Sequence, residues 1–294
     1  MVANKIVFYL FFLFIYFFKI LPFRILYLFS DFIYFILYVL LSYRKKVVNL
    51  NLRKCFPDLD ENEIKVLREK FYRIFCDLLL ETIKGLTMSK TQLLGRFRAI
   101  NSHIAGKYFE QNKDVIIVLG HFANWEWAVA TLVEEFKHQP AVLYKPISNP
   151  LINGYIRNKR ARFGIDLVSI HQTHEYFNKA KPKPVAYYMI ADQYSSNKSK
   201  QLKVNFFNSK TGFLHGPEKY SRLLNIPVLY IEIQKVKRGF YTIELIELCE
   251  HPKNLKDSEL TQIYATQLEK SIIKQPENWI WTHKRWKKEL YAFD

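Results

Sequence analysis

Residues Asp114 to Val133 read DVIIVLGHFANWEWAVATLV. The run Val115-Ile116-Ile117-Val118-Leu119 is short, apolar and rich in β-branched residues, which predicts a buried strand rather than a helix. Gly120 permits a sharp turn, and His121 comes at once after it. From Glu126 the period changes: Trp127, Ala130, Thr131 and Glu134 fall at helical spacings among good helix formers. His121 and Glu126 therefore share one strand-to-helix turn, where a fixed sheet holds reactive groups open to a substrate. Taken alone, the pair also fits a loop histidine and a first-turn acid that suits the helix dipole.

Downstream, Ala141–Tyr144 reads as a second strand, broken by Lys145-Pro146-Ile147-Ser148-Asn149-Pro150. Leu151–Gly164 reads as a basic helix carrying Arg157, Lys159, Arg160 and Arg162. Ile165–Ile170 and Val185–Ile190 are two further strands, the latter ending in Ala191-Asp192-Gln193. Alternation of strand and helix predicts an α/β fold with a mostly parallel, mixed sheet flanked by helices. Ligands of such sheets sit at the carboxyl ends of strands, so His121, the Lys145–Asn149 turn and Asp192 are expected on one rim. Ser195–Lys203 is polar and basic and reads as a mobile loop, with Val204–Phe207 a short strand or turn. Ile226–Gln234 and Tyr241–Leu248 flank Arg238-Gly239 as a hairpin, and Glu259–Lys274 is an amphipathic helix. Upstream, Asp60 with Glu63 has the form of a capping box, leading into a helix with Ile64, Leu67, Phe71, Phe75 and Leu78 on its core face.

The start of the chain is different in kind. Ile6–Phe18 is unbroken apolar sequence, Lys19, Pro22 and Arg24 interrupt, and Ile25–Tyr43 continues with only Ser30, Asp31 and Ser42 as polar breaks. A bilayer span takes about 20 apolar residues, so this segment is one tilted span, a tight hairpin, or a pair of interfacial helices. No small-x-small cleavage site comes after Lys19, which argues against a signal peptide. Arg44-Lys45-Lys46 places the rest of the chain on the cytoplasmic side of the membrane. The expected organisation is a hydrophobic membrane anchor over 1–46 and one domain over 47–294. The formal charge of +17 calls for an anionic partner, either a membrane surface or an acidic carrier. No nucleic-acid module or zinc-finger spacing appears, so nucleic acid is not expected. The three cysteines are scattered and odd in number, which fits a reducing compartment and no disulfide frame.

Assembled in order, these blocks resemble the bacterial lipid A biosynthesis acyltransferases, a branch of the lysophospholipid acyltransferase superfamily. Gly120-His121-Phe122-Ala123-Asn124-Trp125-Glu126 is similar to the family's HxxxxE motif. Tyr144-Lys145-Pro146 with Asn149-Pro150-Leu151, Arg160 and Arg162 is similar to its second block, and Ala191-Asp192-Gln193 with Phe206-Phe207 to its third. Pro276-Glu277-Asn278-Trp279-Ile280-Trp281-Thr282-His283-Lys284-Arg285-Trp286-Lys287 resembles its closing motif, and Asn51–Pro57 also has the family look. Lys145 stands where well-known members often carry Arg, and Asn153 where they often carry Asp.

The resemblance implies a membrane-associated O-acyltransferase with a glycerolipid acyltransferase-like fold. It would move a fatty acyl chain from acyl carrier protein or acyl-CoA to a hydroxyl of a lipid acceptor, a lipid A precursor or similar envelope lipid. His121 would be the general base, since an imidazole titrates near neutrality, and Glu126 would hold the other ring nitrogen as the carboxylate does in a triad. Arg160, Arg162, Asp192, Asn149 and Lys145 would bind substrate. The acceptor hydroxyl is itself the nucleophile, so no catalytic Ser or Cys is needed and no cofactor beyond the thioester co-substrate is expected. HxxxxE is not zinc spacing, and no metal is expected. The competing readings are a non-catalytic lipid-binding protein of the same fold and a lipid hydrolase, the latter disfavoured by the lack of a GxSxG elbow.

Overall fold

A computed structural model describes residues 2–195 and 197–290. Two apolar helices open the chain, α1 (Val2–Ile20) and α2 (Phe23–Tyr34), the latter running on as a π-helical stretch over Phe35–Leu40. Pro22 stands just before α2, where a missing N–H leaves no hydrogen bond unmade. Among the described residues one helical stretch, Phe23–Leu40, is long and apolar enough to cross a membrane. Both helices leave large apolar side chains in the open, with Leu10, Leu13, Leu28, Phe32 and Leu40 each at least 60% exposed.

α3 (Lys45–Cys55) and α4 (Glu61–Gly85) come next, and the Asp60/Glu63 capping box at the start of α4 forms as expected, satisfying otherwise open N–H groups. Then come α5 (Lys90–Leu94), β1 (Phe97–Ala99), α6 (His103–Glu110), β2 (Val115–Leu119), α7 (Trp125–Glu135) and β3 (Gln139–Tyr144). The chain continues through α8 (Pro150–Ala161), β4 (Asp166–Ser169), α9 (Thr173–Asn178), β5 (Val185–Ile190), β6 (Gln201–Phe206) and β7 (Ser209–Leu214). α10 (Gly216–Leu224), β8 (Val228–Lys237), β9 (Phe240–Cys249) and α11 (Glu259–Lys274) complete the frame.

Seven of the described strands form one sheet in the order β1-β9-β8-β2-β5-β3-β4. Neighbours are parallel except β8 and β9, the expected hairpin, which run antiparallel. The expected α/β class with a mostly parallel, mixed sheet is what forms. β2 and β5 lie side by side at its centre and are buried almost throughout, which is why both read as continuous apolar runs.

Residues 201–203 depart from the expected loop by opening β6, whereas Val204–Phe207 is strand and turn as expected. Residues 201–214 form a separate two-stranded hairpin, β6–β7, turning at Phe207 and Asn208 with φ of 49° and 54°. Positive φ at both central positions is the geometry that Asn-Gly usually announces. Here no glycine marks it; Phe207 is held by burial and by its N–H on Glu269 at 2.8 Å. Ser196, within the expected loop, lies outside the described residues.

The apolar start is fastened to the body by buried polar groups on α4. Lys84 donates to the carbonyls of Phe18, Lys19 and Leu21 at 2.6–3.0 Å, groups that the end of α1 leaves open. Ser30 donates to Asp77 at 2.7 Å, and the Arg238 guanidinium bridges Asp77 and Asp31. Glu81, fully buried, accepts from Tyr27 of α2 at 2.8 Å, Tyr241 of β9 at 2.6 Å and Asn124 at 2.8 Å. Burial raises the Glu81 carboxyl pKa, and these three donors oppose the shift. Asn124 in turn caps α7 by accepting from Trp127 N at 3.0 Å. One carboxylate thus ties the first helices to the turn that carries His121.

Candidate active site

Strand register brings the site together. Leu119 of β2 pairs with Ile190 of β5, and each strand continues two residues to His121 and Asp192. Residues 71 apart in sequence therefore emerge side by side at the carboxyl edge of the sheet. Nδ1 of His121 lies 2.6 Å from Oδ1 of Asp192, and the backbone N–H of His121 donates to Oδ2 at 3.0 Å. Gly120 is required by close packing: a Cβ there would stand 2.7 Å from Leu268 of α11 and 3.4 Å from Asp192 Oδ2.

The closing segment holds this turn from below. Phe122 and Trp279 form an antiparallel bridge, Ile280 N–H donates to the His121 carbonyl at 3.1 Å, and Ala123 N–H donates to the Asn278 carbonyl at 2.8 Å. Ala123 sits at φ 47°, a conformation unfavourable for alanine that these contacts hold in place. Trp279 Nε1 donates to Asp192 Oδ2 at 2.9 Å.

Asp192 is 1% exposed, whereas the His121 side chain is 23% exposed. Burial alone would raise the Asp192 pKa, but His121, Trp279 and the His121 amide outweigh it and hold the carboxyl at about 2. Burial alone would lower the His121 pKa; the charge and hydrogen bond of Asp192, with Glu126 adding charge, outweigh it and raise it above 6.5. With Nδ1 engaged, Nε2 is the nitrogen left for chemistry.

His121 opens onto a cavity of about 840 Å³, within the size range of small-molecule sites. Its lining includes the polar Glu126, Lys145, Arg160, Gln193, Tyr194 and Lys200 and the apolar Leu86, Leu93, Val129, Ala130, Phe163 and Leu167. A largely apolar lining with several charged and polar groups suits an amphiphile with a polar head and a hydrocarbon tail.

The expected residues divide. His121, Glu126, Lys145 and Arg160 line the cavity, and Asp192 stands behind His121. Glu126, expected on the second ring nitrogen, is instead paired with Arg160 Nη2 at 2.6 Å. The first turn of α7 directs it toward α8, while the ring faces β5. Asn149 caps α8 through Leu151 and Ile152 and donates to the Asn4 carbonyl of α1 at 3.1 Å. Arg162 donates to the Gly85 carbonyl at 2.8 Å, outside the cavity lining. Gln193, Tyr194 and Lys200 also line the cavity and Trp279 bonds Asp192, placements that sequence reasoning does not single out. Trp279 lies inside a motif recognisable only as a block, and its partner can be found only from the fold. Among the described residues no cluster of His, Cys, Asp and Glu has metal-site geometry.

The family model for the bacterial lipid A biosynthesis acyltransferases matches residues 2–288. The chain is 23% identical over 248 residues to the lipid A biosynthesis lauroyltransferase of Escherichia coli, covering 83% of this chain and 79% of that protein. It is 22% identical over 253 residues to a lipid A biosynthesis acyltransferase of Haemophilus influenzae, covering 83% and 78%. With the match running through the apolar first helices, the His121 turn and the closing segment alike, the chain belongs to the bacterial lipid A biosynthesis acyltransferase family.

Proposed function

We propose that the protein transfers a fatty acyl chain from an acyl thioester to a free hydroxyl of a lipid A precursor, at the cytoplasmic face of the bacterial inner membrane. The observation that carries this reading is the His121–Asp192 pair at the mouth of an apolar-walled cavity. Neutral His121 takes the hydroxyl proton on Nε2 as the oxygen attacks the thioester carbonyl. Asp192 fixes the ring through Nδ1 and stabilises the imidazolium, the part that the HxxxxE spacing assigns to Glu126. The C–O bond forms, the C–S bond breaks, and the proton passes from Nε2 to the departing thiolate. The apolar walls hold the acyl chain. Arg160, steadied by Glu126, and Lys145 place positive charge at the mouth, for the developing oxyanion or for an acceptor phosphate. The exposed apolar side chains of α1 and α2 hold the protein at the lipid surface, and Arg44-Lys45-Lys46 favours anionic headgroups.

His121→Ala tests the reading. We expect a folded, membrane-bound protein whose acyl transfer falls roughly a hundred- to ten-thousand-fold, the share that base catalysis supplies. Transfer at near wild-type rate would remove His121 as the base. Separate quantification of free fatty acid and acylated lipid distinguishes transfer from hydrolysis; release of free acid alone would make water the acceptor.

A further inference from the structure

Asp192 makes its contacts through two oxygens with different duties. Oδ1 meets the His121 ring, while Oδ2 receives the His121 amide and the Trp279 indole. The indole has little freedom. Trp279 is 2% exposed and boxed by rings, with Phe206 at 5.7 Å, Trp281 at 4.8 Å and Trp286 at 6.3 Å between centroids. Its backbone forms the bridge to Phe122, beside the His121 carbonyl that Ile280 holds.

We propose that Trp279 is a positioning residue for the proton transfer: its N–H occupies Oδ2 of Asp192 and so keeps Oδ1 locked on Nδ1 of His121. Without the indole, Oδ2 would keep only the His121 amide, and a carboxylate held there by one donor instead of two rotates more freely about its last bond and takes the base out of line. The indole also draws charge from the carboxylate, which limits how strongly Asp192 holds the imidazolium proton. Other groups set the same field. Glu126 and its partner Arg160 stand on the cavity side, and Arg285, His283, Tyr230 and Tyr264 act on the buried side. Arg285 is fully buried, lies over the Phe213 ring at 4.3 Å and donates to Thr211 at 2.9 Å, and it acts on Asp192 through its charge.

The proposal rests on His121 acting as the base and is tested on the full-length, membrane-bound protein with a dodecanoyl thioester and a lipid A precursor as probes. Trp279→Phe keeps the ring and removes the N–H. We expect kcat to fall about tenfold, the loss of one charge-assisted hydrogen bond of modest net worth, with KM for the thioester within about twofold. The acid limb of the rate should move to higher pH, because a carboxylate relieved of one donor binds the imidazolium more tightly. A packing defect would instead change stability and both kinetic constants while leaving that limb in place. A folded variant with kcat and acid limb unchanged overturns the proposal.

Should the variant not fold, the unaltered protein decides. With 15N-labelled tryptophan, one exchange-protected indole N–H should titrate with the midpoint of the acid limb; none doing so overturns the proposal. The half-exposed Trp125, 5.1 Å from the His121 ring, is set apart by rapid exchange. His121→Ala, run alongside, separates the two failures. An active His121→Ala variant strikes the base itself, whereas an inert one beside an unaffected Trp279→Phe strikes only the positioning role.

Discussion

His121 works at the edge between a buried acid and an open chamber, and its protonation is set by that place. Its raised pKa sets the expected rate profile: activity climbs with pH through a midpoint above 6.5, where the imidazole becomes neutral. Asp192→Asn should lower the plateau rate roughly a hundredfold or more and move the midpoint down, because the charge that favours the imidazolium is gone. A midpoint that stays put would mean the limb belongs to another group. The linkage to stability has two signs. For His121, whose pKa rises on folding, the pair's stabilisation is present below pH 6.5 and lost as pH climbs through the raised value. For Asp192, lowered from 3.8 to about 2, it is present above 3.8 and lost as pH falls toward 2. The histidine is legible because a strand, a glycine and a change of period converge on it. Its partner is not, because HxxxxE offers an acid five residues away whereas the ring meets one 71 residues away through a strand neighbour. Sheet order, which a single sequence does not contain, decides between them.

Among the elements, α7 does most to shape the chamber. Its N-terminal turn brings Glu126 to the mouth, and one turn on Ala130 faces the same cavity. A bulkier side chain there should shorten the chain that fits. We expect Ala130→Phe to shift preference toward shorter acyl thioesters, read as the ratio of kcat/KM between a long and a short donor, with little effect on the pH midpoint. An unaltered ratio would place the acyl tail elsewhere. The strands and helices of the main sheet are readable since each buries a face whose period shows in the text. The β6–β7 hairpin is readable only in part: Val204–Phe207 shows as a short strand or turn, but its pairing with β7 does not, because the turn has no glycine. Burial of Val204, Phe206, Thr211 and Phe213 decides it, and that burial comes from the elements around the hairpin.

At the scale of the whole molecule, a +17 chain carries an apolar face at one end. We propose that both act together on the membrane, the apolar face supplying depth and the cations supplying attraction to anionic lipid. Co-sedimentation should show tighter association with phosphatidylglycerol vesicles than with neutral ones, and the difference should shrink as salt rises from low to several hundred millimolar. Equal binding to both would assign attachment to the apolar helices alone. The sequence shows an apolar start and a mixed body as separate compositions. It does not show how the two are joined, because Lys84, Asp77 and Glu81 look like ordinary helix residues until α1 and α2 lie against them. That joint bears on anyone who would trim the first 46 residues to obtain a water-soluble fragment. The cut would leave Lys84 without its three carbonyls and Glu81, which also holds Asn124 of the His121 turn, without Tyr27. What looks like a detachable handle is part of the floor.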